Sequence, residues 1–417
     1  MKCTLHNLGC KVNSYETEAM RQLLEAAGYE IVEFGSETAD VYIINTCTVT
    51  NIADRKSRQM LHKAKKDNPN AVVVAAGCYV QEAGEKLLAD EAVDIIVGNN
   101  RKGQIVEVLE EYFKGRNIDN SFIDINKTRE YENLEINASL AHTRAYIKIQ
   151  DGCNQFCTYC IIPFARGRVR SRKIEDIIDE VRKLAESGCH EIVVTGIHLS
   201  SYGLDFDNTE YNAQPVPNAE RLLQVLEAIA AVDGIDRIRL GSLEPRIITD
   251  TFLERLSAIP QICPHFHLSL QSGCDETLKR MNRRYDTEEF REGVEKIRRY
   301  FDKPAITTDV IVGFPGETDE EFAITRKYLE EINFFEMHVF KYSRRKGTIA
   351  DRMENQIADS VKSERSDALI ELDEELSRAY RESFAGSAEV VLVEEYVECD
   401  GIKYAVGHTK RYVKVYI

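Results

Sequence analysis

Strand-like and helix-like segments alternate from the first residues of the chain, and no other feature restricts its fold more. Runs of β-branched and apolar residues read as strands at 3–8, 41–46, 71–76 and 93–97. Helical periodicity follows each, at about 15–27, 54–66, 81–89 and 103–113. Strands that are each followed by a helix demand a parallel sheet covered by helices. A polar, aperiodic stretch at 115–143 reads as a linker. A second series begins at "TRAYIKIQ" (143–150) and continues through "EIVVTGI" (191–197), "DRIRLGSL" (236–243), "HFHLSLQ" (265–271), "AITTDVIVG" (305–313) and "FFEMHVFK" (334–341). Helical stretches such as 174–188 and 218–232 lie between these strands. Six β/α units are too few to close an eight-unit barrel, so a partial barrel or open curved sheet is expected. A helix at about 359–384 and the short strands "AEVVLVEEY", "IKYAVGH" and "YVKVYI" end the chain, as a small barrel-type β module. The fold class is α/β, with expected domains at 1–130, 144–355 and 385–417.

Cysteines sit where this alternation gives them meaning. The segments "CTLHNLGC", "VYIINTC" and "AVVVAAGC" place Cys10, Cys47 and Cys78 at the ends of three strand-like runs. In a parallel sheet all strand C-termini share one edge, where ligands bind, so three thiolates distant in sequence converge there. Cys3 cannot join them, because seven extended residues separate it from Cys10 by about 23 Å. One such residue is commonly a buried structural cysteine; three at equivalent positions favour a metal cluster.

A second set is local. "CNQFCTYC" places Cys153, Cys157 and Cys160 directly after the first strand of the second series. A C-x3-C-x2-C loop is short enough to aim three sulfurs inward at three irons of a cubane cluster. The fourth iron would keep an open position for a substrate. A zinc site completed from elsewhere is the alternative. Cys189, Cys263, Cys274 and Cys399 show no ligand spacing.

Eleven cysteines point to metal chemistry rather than disulfides, given no signal-peptide pattern and no apolar run of membrane-spanning length. A cytoplasmic protein without membrane attachment is expected. The net charge of −16 argues against general polyanion binding. Basic runs such as "RKSRQMLHKAKK" (55–66) and "FARGRVRSRK" (164–173) remain compatible with a nucleic acid.

The C-x3-C-x2-C motif on a six-unit β/α series resembles the radical S-adenosylmethionine (SAM) enzymes. That resemblance implies that SAM chelates the open iron and is cleaved to a 5′-deoxyadenosyl radical. It also implies SAM contacts at strand ends: Tyr159 near the adenine, Gly196 of "VTGI", Ser242 and Glu244 of "LGSLEP", Gln271 of "LSLQSG" and Gly313 of "VGFPGE". With the N-terminal three-cysteine domain and the β tail, the chain resembles the methylthiotransferases along essentially its whole length. "LGCKVN" (8–13), "NTCTVT" (45–50), "ADRKSRQ" (53–59) and "QDGCNQFCTYCIIPFARG" (150–167) look most like the branch acting on N6-threonylcarbamoyladenosine at tRNA position 37. The isopentenyladenosine branch usually carries "GCQMN" at the first cysteine, and the branch that modifies an aspartate of a ribosomal protein carries "GCPKN".

The resemblance implies two [4Fe-4S] clusters, an auxiliary one on Cys10, Cys47 and Cys78 and the radical one on Cys153, Cys157 and Cys160. One SAM would methylate a sulfur at the auxiliary cluster, and a second would yield the radical that takes hydrogen from C2 of the adenine. The implied partners are a tRNA anticodon stem-loop and a low-potential donor of flavodoxin or ferredoxin type, with the enzyme a monomer. The tail looks like the family's RNA-binding TRAM module, but only 33 residues remain from Ala385, about half its usual length. Lys410 and Arg411 are its candidate phosphate contacts. The threonylcarbamoyl carboxylate needs a cation, for which Arg166, Arg168 and Arg344 stand as candidates. The competing readings are methylthiolation of isopentenyladenosine or of a ribosomal protein and, in another class, a non-catalytic RNA-binding iron–sulfur protein.

Overall fold

The computed structural model of the chain describes residues 1–116, 123–137, 143–206 and 219–417. Five parallel strands form the N-terminal sheet: β1 (Lys2–Asn7), β2 (Glu30–Ile31), β3 (Val41–Thr46), β4 (Val72–Gly77) and β5 (Ile95–Val97), in the order β2-β1-β3-β4-β5. Every residue of β3 and β4 is buried, as expected for central strands covered on both faces. Helices α1 (Lys11–Ala26), α2 (Asn51–Asp67) and α3 (Cys78–Ala83) leave from the C-terminal ends of β1, β3 and β4. The two-residue strand β2 has no run long enough to announce it in the sequence.

The second series forms β6 (Arg144–Asp151), the short antiparallel β7 (Arg170–Ser171), and then β8 (Glu191–Gly196), β9 (Arg237–Leu240), β10 (His265–His267), β11 (Ala305–Val312) and β12 (Glu336–Lys341). Strands β6, β8 and β9 pair in parallel, as do β10, β11 and β12. Parallel bridges Ile238↔Ile262 and Leu243↔Leu268 join the two sets. The six parallel strands thus follow chain order in one curved, open barrel wall. Its outward side chains, among them Ile147, Ile192, Ile238, Phe266 and Val310, share one core with the surrounding helices. At 25 cal/mol per Å², such burial is the main stabilising term.

The stretch expected as a linker carries no helix or strand across residues 123–137. Residues 117–122 and 138–142 lie outside the described residues, as does residue 218 of the expected helix at 218–232. What is described does not hang loosely. Leu134 and Ile136 are buried in the barrel core, and the Tyr15 hydroxyl of α1 donates to the Leu134 carbonyl.

The tail forms a three-stranded antiparallel sheet, β13 (Val391–Cys399), β14 (Ile402–Thr409) and β15 (Lys414–Tyr416), in that order. It seats Tyr412 under the barrel, against the guanidinium groups of Arg144 (5.1 Å) and Arg239 (4.7 Å) and the ring of His265 (5.2 Å). Lys410 and Arg411 are clamps here: Lys410 donates to the Pro260 carbonyl (2.9 Å), and Arg411 to the carbonyls of Lys303 (2.9 Å) and Asp302 (2.9 Å). Among the described residues no helix is long and apolar enough to cross a membrane.

Candidate active site

The first three cysteines meet at one edge. β1 and β3 pair with Asn7 opposite Asn45, and β3 and β4 with Thr46 opposite Gly77, so the strand ends are level. Cys10 is the N-cap of α1, Cys47 follows β3, and Cys78 opens α3. Gly77 makes the last turn possible: its φ is +96°, and a Cβ there would lie 2.6 Å from the Asn45 side-chain oxygen and 2.7 Å from the Thr46 carbonyl. Ser57 of α2 pins Cys47, accepting from its N–H (3.3 Å) and donating to its carbonyl (3.1 Å). Burial pushes the Cys47 thiol up to about 11, and the charges of Cys78 and Cys10 push the same way, which is the electrostatic mark of convergence. Cys3 pairs with Val41 at the far end of the sheet and is fully buried.

Cys153, Cys157 and Cys160 follow β6 in a loop braced from outside. The Thr158 N–H donates to the Met281 carbonyl (3.1 Å), its hydroxyl to the Arg280 carbonyl (2.9 Å), and the Asn282 amide to the Phe156 carbonyl (3.0 Å). Arg283 donates to the Cys157 sulfur (3.2 Å). Burial and the charge of Cys157 push the Cys160 thiol up to about 12, so ligation as thiolate needs the positive charge of a metal.

Both triads suit a polynuclear cluster better than zinc. Tetrahedral Zn–S bonds place sulfurs about 3.8 Å apart. Among the described residues, the one set of three metal-type donors whose atoms all lie within 4.8 Å of one another is His267, Asp309 and His338. Neither cysteine triad is such a set, and three thiolates on one loop or one sheet edge are the ligand type of an iron–sulfur cluster.

The two edges are bolted together. Arg166 donates through Nε to the Cys78 sulfur (3.2 Å) and through its other nitrogens to Glu16 (2.9 and 3.0 Å), Asp151 (3.1 Å) and Asn13 (2.6 Å). Glu16 also accepts from Lys148 (2.9 Å) and Lys102. Burial would raise its carboxyl, but Arg166, Lys102 and Lys148 hold it well below the usual range. Asn99 reaches the Ala165 carbonyl (2.7 Å) and the Cys78 sulfur (3.6 Å). On the other flank Arg345 donates to Thr48 (2.8 Å), Asn51 (2.8 Å) and Asp54 (2.6 Å), tying the segment after Cys47 to the segment after β12.

The residues expected to hold SAM ring the barrel mouth. Tyr159 packs edge-on against Phe314 (6.3 Å) beneath the cluster loop. Glu244, nearly buried, accepts from Gln155 (3.1 Å), His198 (3.3 Å) and Arg246; burial opposes its charge, but His198 and Arg246 bring its carboxyl down to about 2. Gly196 backs onto the Gln150 side chain, Ser242 is exposed, and Gln271 holds a φ of +74°. Gly313 (φ +71°) lies where a Cβ would meet the Lys362 side chain at 2.3 Å.

The three candidate carboxylate-binding arginines are otherwise engaged. Arg166 is buried with its fork filled, so it bolts the edges together rather than meeting substrate. Arg168 stacks over Phe156 (4.4 Å) and donates to Asn126 and the Pro163 carbonyl. Arg344 pairs with Asp351 (2.6 Å) on an exposed side chain. Sequence reasoning passed over Arg283 and Arg345, whose partners Cys157 and Asp54 lie far away in the chain.

Residues 147–329 match the Radical SAM superfamily, and residues 2–98 match Uncharacterized protein family UPF0004. The threonylcarbamoyladenosine tRNA methylthiotransferase MtaB of Bacillus subtilis is 43% identical over 98% of this chain and 89% of its own length. MtaB of Aquifex aeolicus is 39% identical over 95% and 93%. The tRNA-2-methylthio-N(6)-dimethylallyladenosine synthase of Aquifex aeolicus is 36% identical over 94% and 88%. Among solved structures, the radical SAM methyltransferase TsrM of Kitasatospora setae, with cobalamin and a [4Fe-4S] cluster bound, superposes with a TM-score of 0.59. It covers 84% of this chain and 73% of its own at 15% identity, a likeness of fold alone. Sequence identity along almost the whole length settles the family: the chain is an enzyme of the radical SAM tRNA methylthiotransferases, with SAM and [4Fe-4S] as its cofactors.

Proposed function

We propose that the enzyme replaces the hydrogen at C2 of N6-threonylcarbamoyladenosine, at position 37 of tRNA, with a methylthio group, using two molecules of SAM and two [4Fe-4S] clusters. One observation carries this reading: two cysteine triads, each at the C-terminal edge of a parallel sheet, are joined by Arg166 on the Cys78 sulfur. Such an arrangement presents two sulfur-lined sites to one substrate base. The relatives named for threonylcarbamoyladenosine support the choice of nucleoside.

In this reading Cys153, Cys157 and Cys160 hold one cluster and Cys10, Cys47 and Cys78 the other. When bound, these groups supply a low-potential electron and an open iron at one edge and sulfur at the other. The protein's part is orientation and charge. Arg283 at Cys157 and Arg166 at Cys78 each offset thiolate charge with a charged hydrogen bond. Glu244, kept ionised, presents a fixed acceptor at the barrel mouth for the cationic end of SAM. The edges are held rigidly, so the C2–H and the sulfur face one another without a search. C2–H has no usable acidity, which is why a radical is required. The anticodon stem-loop is the partner. A flavodoxin- or ferredoxin-type donor supplies electrons, and the enzyme works as a cytoplasmic monomer.

Mass spectrometry of tRNA nucleosides with and without the gene tests the proposal. Loss of 2-methylthio-threonylcarbamoyladenosine on deletion is expected. Unchanged spectra, or loss of the methylthio form of isopentenyladenosine instead, would sink it.

A further inference from the structure

The parallel strands β10, β11 and β12 put two histidines and an aspartate on one patch of the barrel's inner wall. Side chains alternate between the two faces of a strand. Phe266, Ile306, Val310, Met337 and Val339 point outward, into the core shared with the helices. Their strand neighbours His267, Asp309 and His338 therefore face the lumen. The register sets them side by side: His267 lies opposite Thr307, and Asp309 opposite His338.

The donor atoms of these three residues all lie within 4.8 Å of one another. His267 Nε2 stands 3.3 Å from the Asp309 carboxylate, and the His267 and His338 rings stack with their centroids 5.7 Å apart. Ligand atoms about 2.1 Å from one tetrahedral ion are about 3.4 Å apart, so side-chain rotations alone close the set. The other nitrogen of His267 is already held, with Nδ1 3.0 Å from the Thr307 hydroxyl. Metal-bound imidazoles use such a partner, which fixes the ring and its tautomer and leaves Nε2 as the ligand. His267 is buried, Asp309 half-buried and His338 exposed, so the patch has a dry floor and an open side through which an ion enters from water. Arg239, the cation of the neighbouring strand β9, is turned to Glu191 (2.8 Å), the Lys410 carbonyl (3.0 Å) and the face of Tyr412 (4.7 Å).

We propose that His267, Asp309 and His338 bind a divalent first-row transition ion, separate from both cysteine triads. Two imidazoles and one carboxylate suit zinc, and bind it more tightly than iron(II) or manganese(II). Three protein ligands leave at least one position open to the lumen, where water or an oxygen atom of a lumen-bound molecule completes the coordination. The assignment is the same whichever nucleoside the enzyme modifies.

The test adds zinc alone to the anaerobically reconstituted enzyme, whose cysteines already carry iron, and measures zinc and iron per chain after gel filtration. Wild type should retain about one zinc ion beyond the amount held by Asp309→Asn or His338→Ala, with the same iron content in all three. Removing a ligand should weaken zinc by about a hundredfold or more, and Thr307→Val, which removes only the partner of His267, by roughly ten- to a hundredfold. His190→Gln is the control: its pair with Asp236 (2.9 Å) is exposed and belongs to no such set, so zinc retention should match wild type. Cobalt(II) in place of zinc reports the ligand type, because nitrogen and oxygen donors give d–d bands without a thiolate-to-cobalt charge-transfer band. Wild type retaining no more zinc than either ligand variant, or a cobalt spectrum dominated by the thiolate band, overturns the proposal. His338 lies on the exposed side of the patch, so His338→Ala decides the matter if Asp309→Asn fails to fold.

Discussion

Replacing Glu16 with Gln should loosen the joint between the N-terminal sheet and the barrel. Glu16 is almost fully buried and its carboxylate serves three cations: Arg166, Lys148 at 2.9 Å and Lys102. The substitution keeps shape and volume but removes the charge. Asp151 is then left to balance Lys148, Arg166 and Arg170. Removing one partner of a buried ionic set costs about 3–5 kcal/mol, because the remaining charges stay desolvated. With a denaturant slope of about 3 kcal/mol/M or more for a chain this long, the urea midpoint should fall by roughly 1 M. Glu110→Gln is the control, since its pair with Lys114 (2.8 Å) is exposed; it should not move the midpoint measurably. The pH dependence has a definite sign. The folded carboxyl lies well below the ordinary glutamate value of 4.5, so its stabilisation is complete above that value and fades as pH falls towards the folded one. The gap between wild type and variant should therefore hold from pH 8 to about 5 and shrink only in stronger acid. A midpoint shift no larger than that of the control at neutral pH would show that Glu16 does not hold the joint together.

Cys47→Ala should lose about half of the iron taken up on reconstitution, yet still form 5′-deoxyadenosine from SAM under reducing anaerobic conditions; full iron content would show that the first triad holds no cluster. Arg283→Met removes the donor at the Cys157 sulfur. Because hydrogen bonds to sulfur stabilise the reduced state, the cluster potential should fall by on the order of 60 mV in a redox titration followed by electron paramagnetic resonance, and an unchanged potential would exclude this role.

Strand ends were readable because they depend on local rules. Apolar runs, turn residues and the two-residue period are properties of neighbours in sequence. Cys10, Cys47 and Cys78 could therefore be placed on one edge before any pairing was known. The C-x3-C-x2-C loop was legible for the same reason. The roles of charged side chains were not. Arg166 was expected near substrate because it follows the cysteine loop. Its actual partners, Glu16 and Asn13, lie about 150 residues earlier in the chain. Lys410 and Arg411 look like exposed phosphate contacts in a basic tail, but they clamp that tail to the barrel.

The β/α order, the two sets of cysteines and, through resemblance to a family, the class of chemistry are legible in the residues alone. Which cation meets which partner follows from the folded arrangement. Long charged side chains reach several ångströms in any direction, so their partners depend on which elements fold over them, and no local pattern encodes that. Arg345 illustrates the point: in the sequence it is the second of two adjacent arginines, and in the folded chain its guanidinium ties Thr48, Asn51 and Asp54 to the segment after β12.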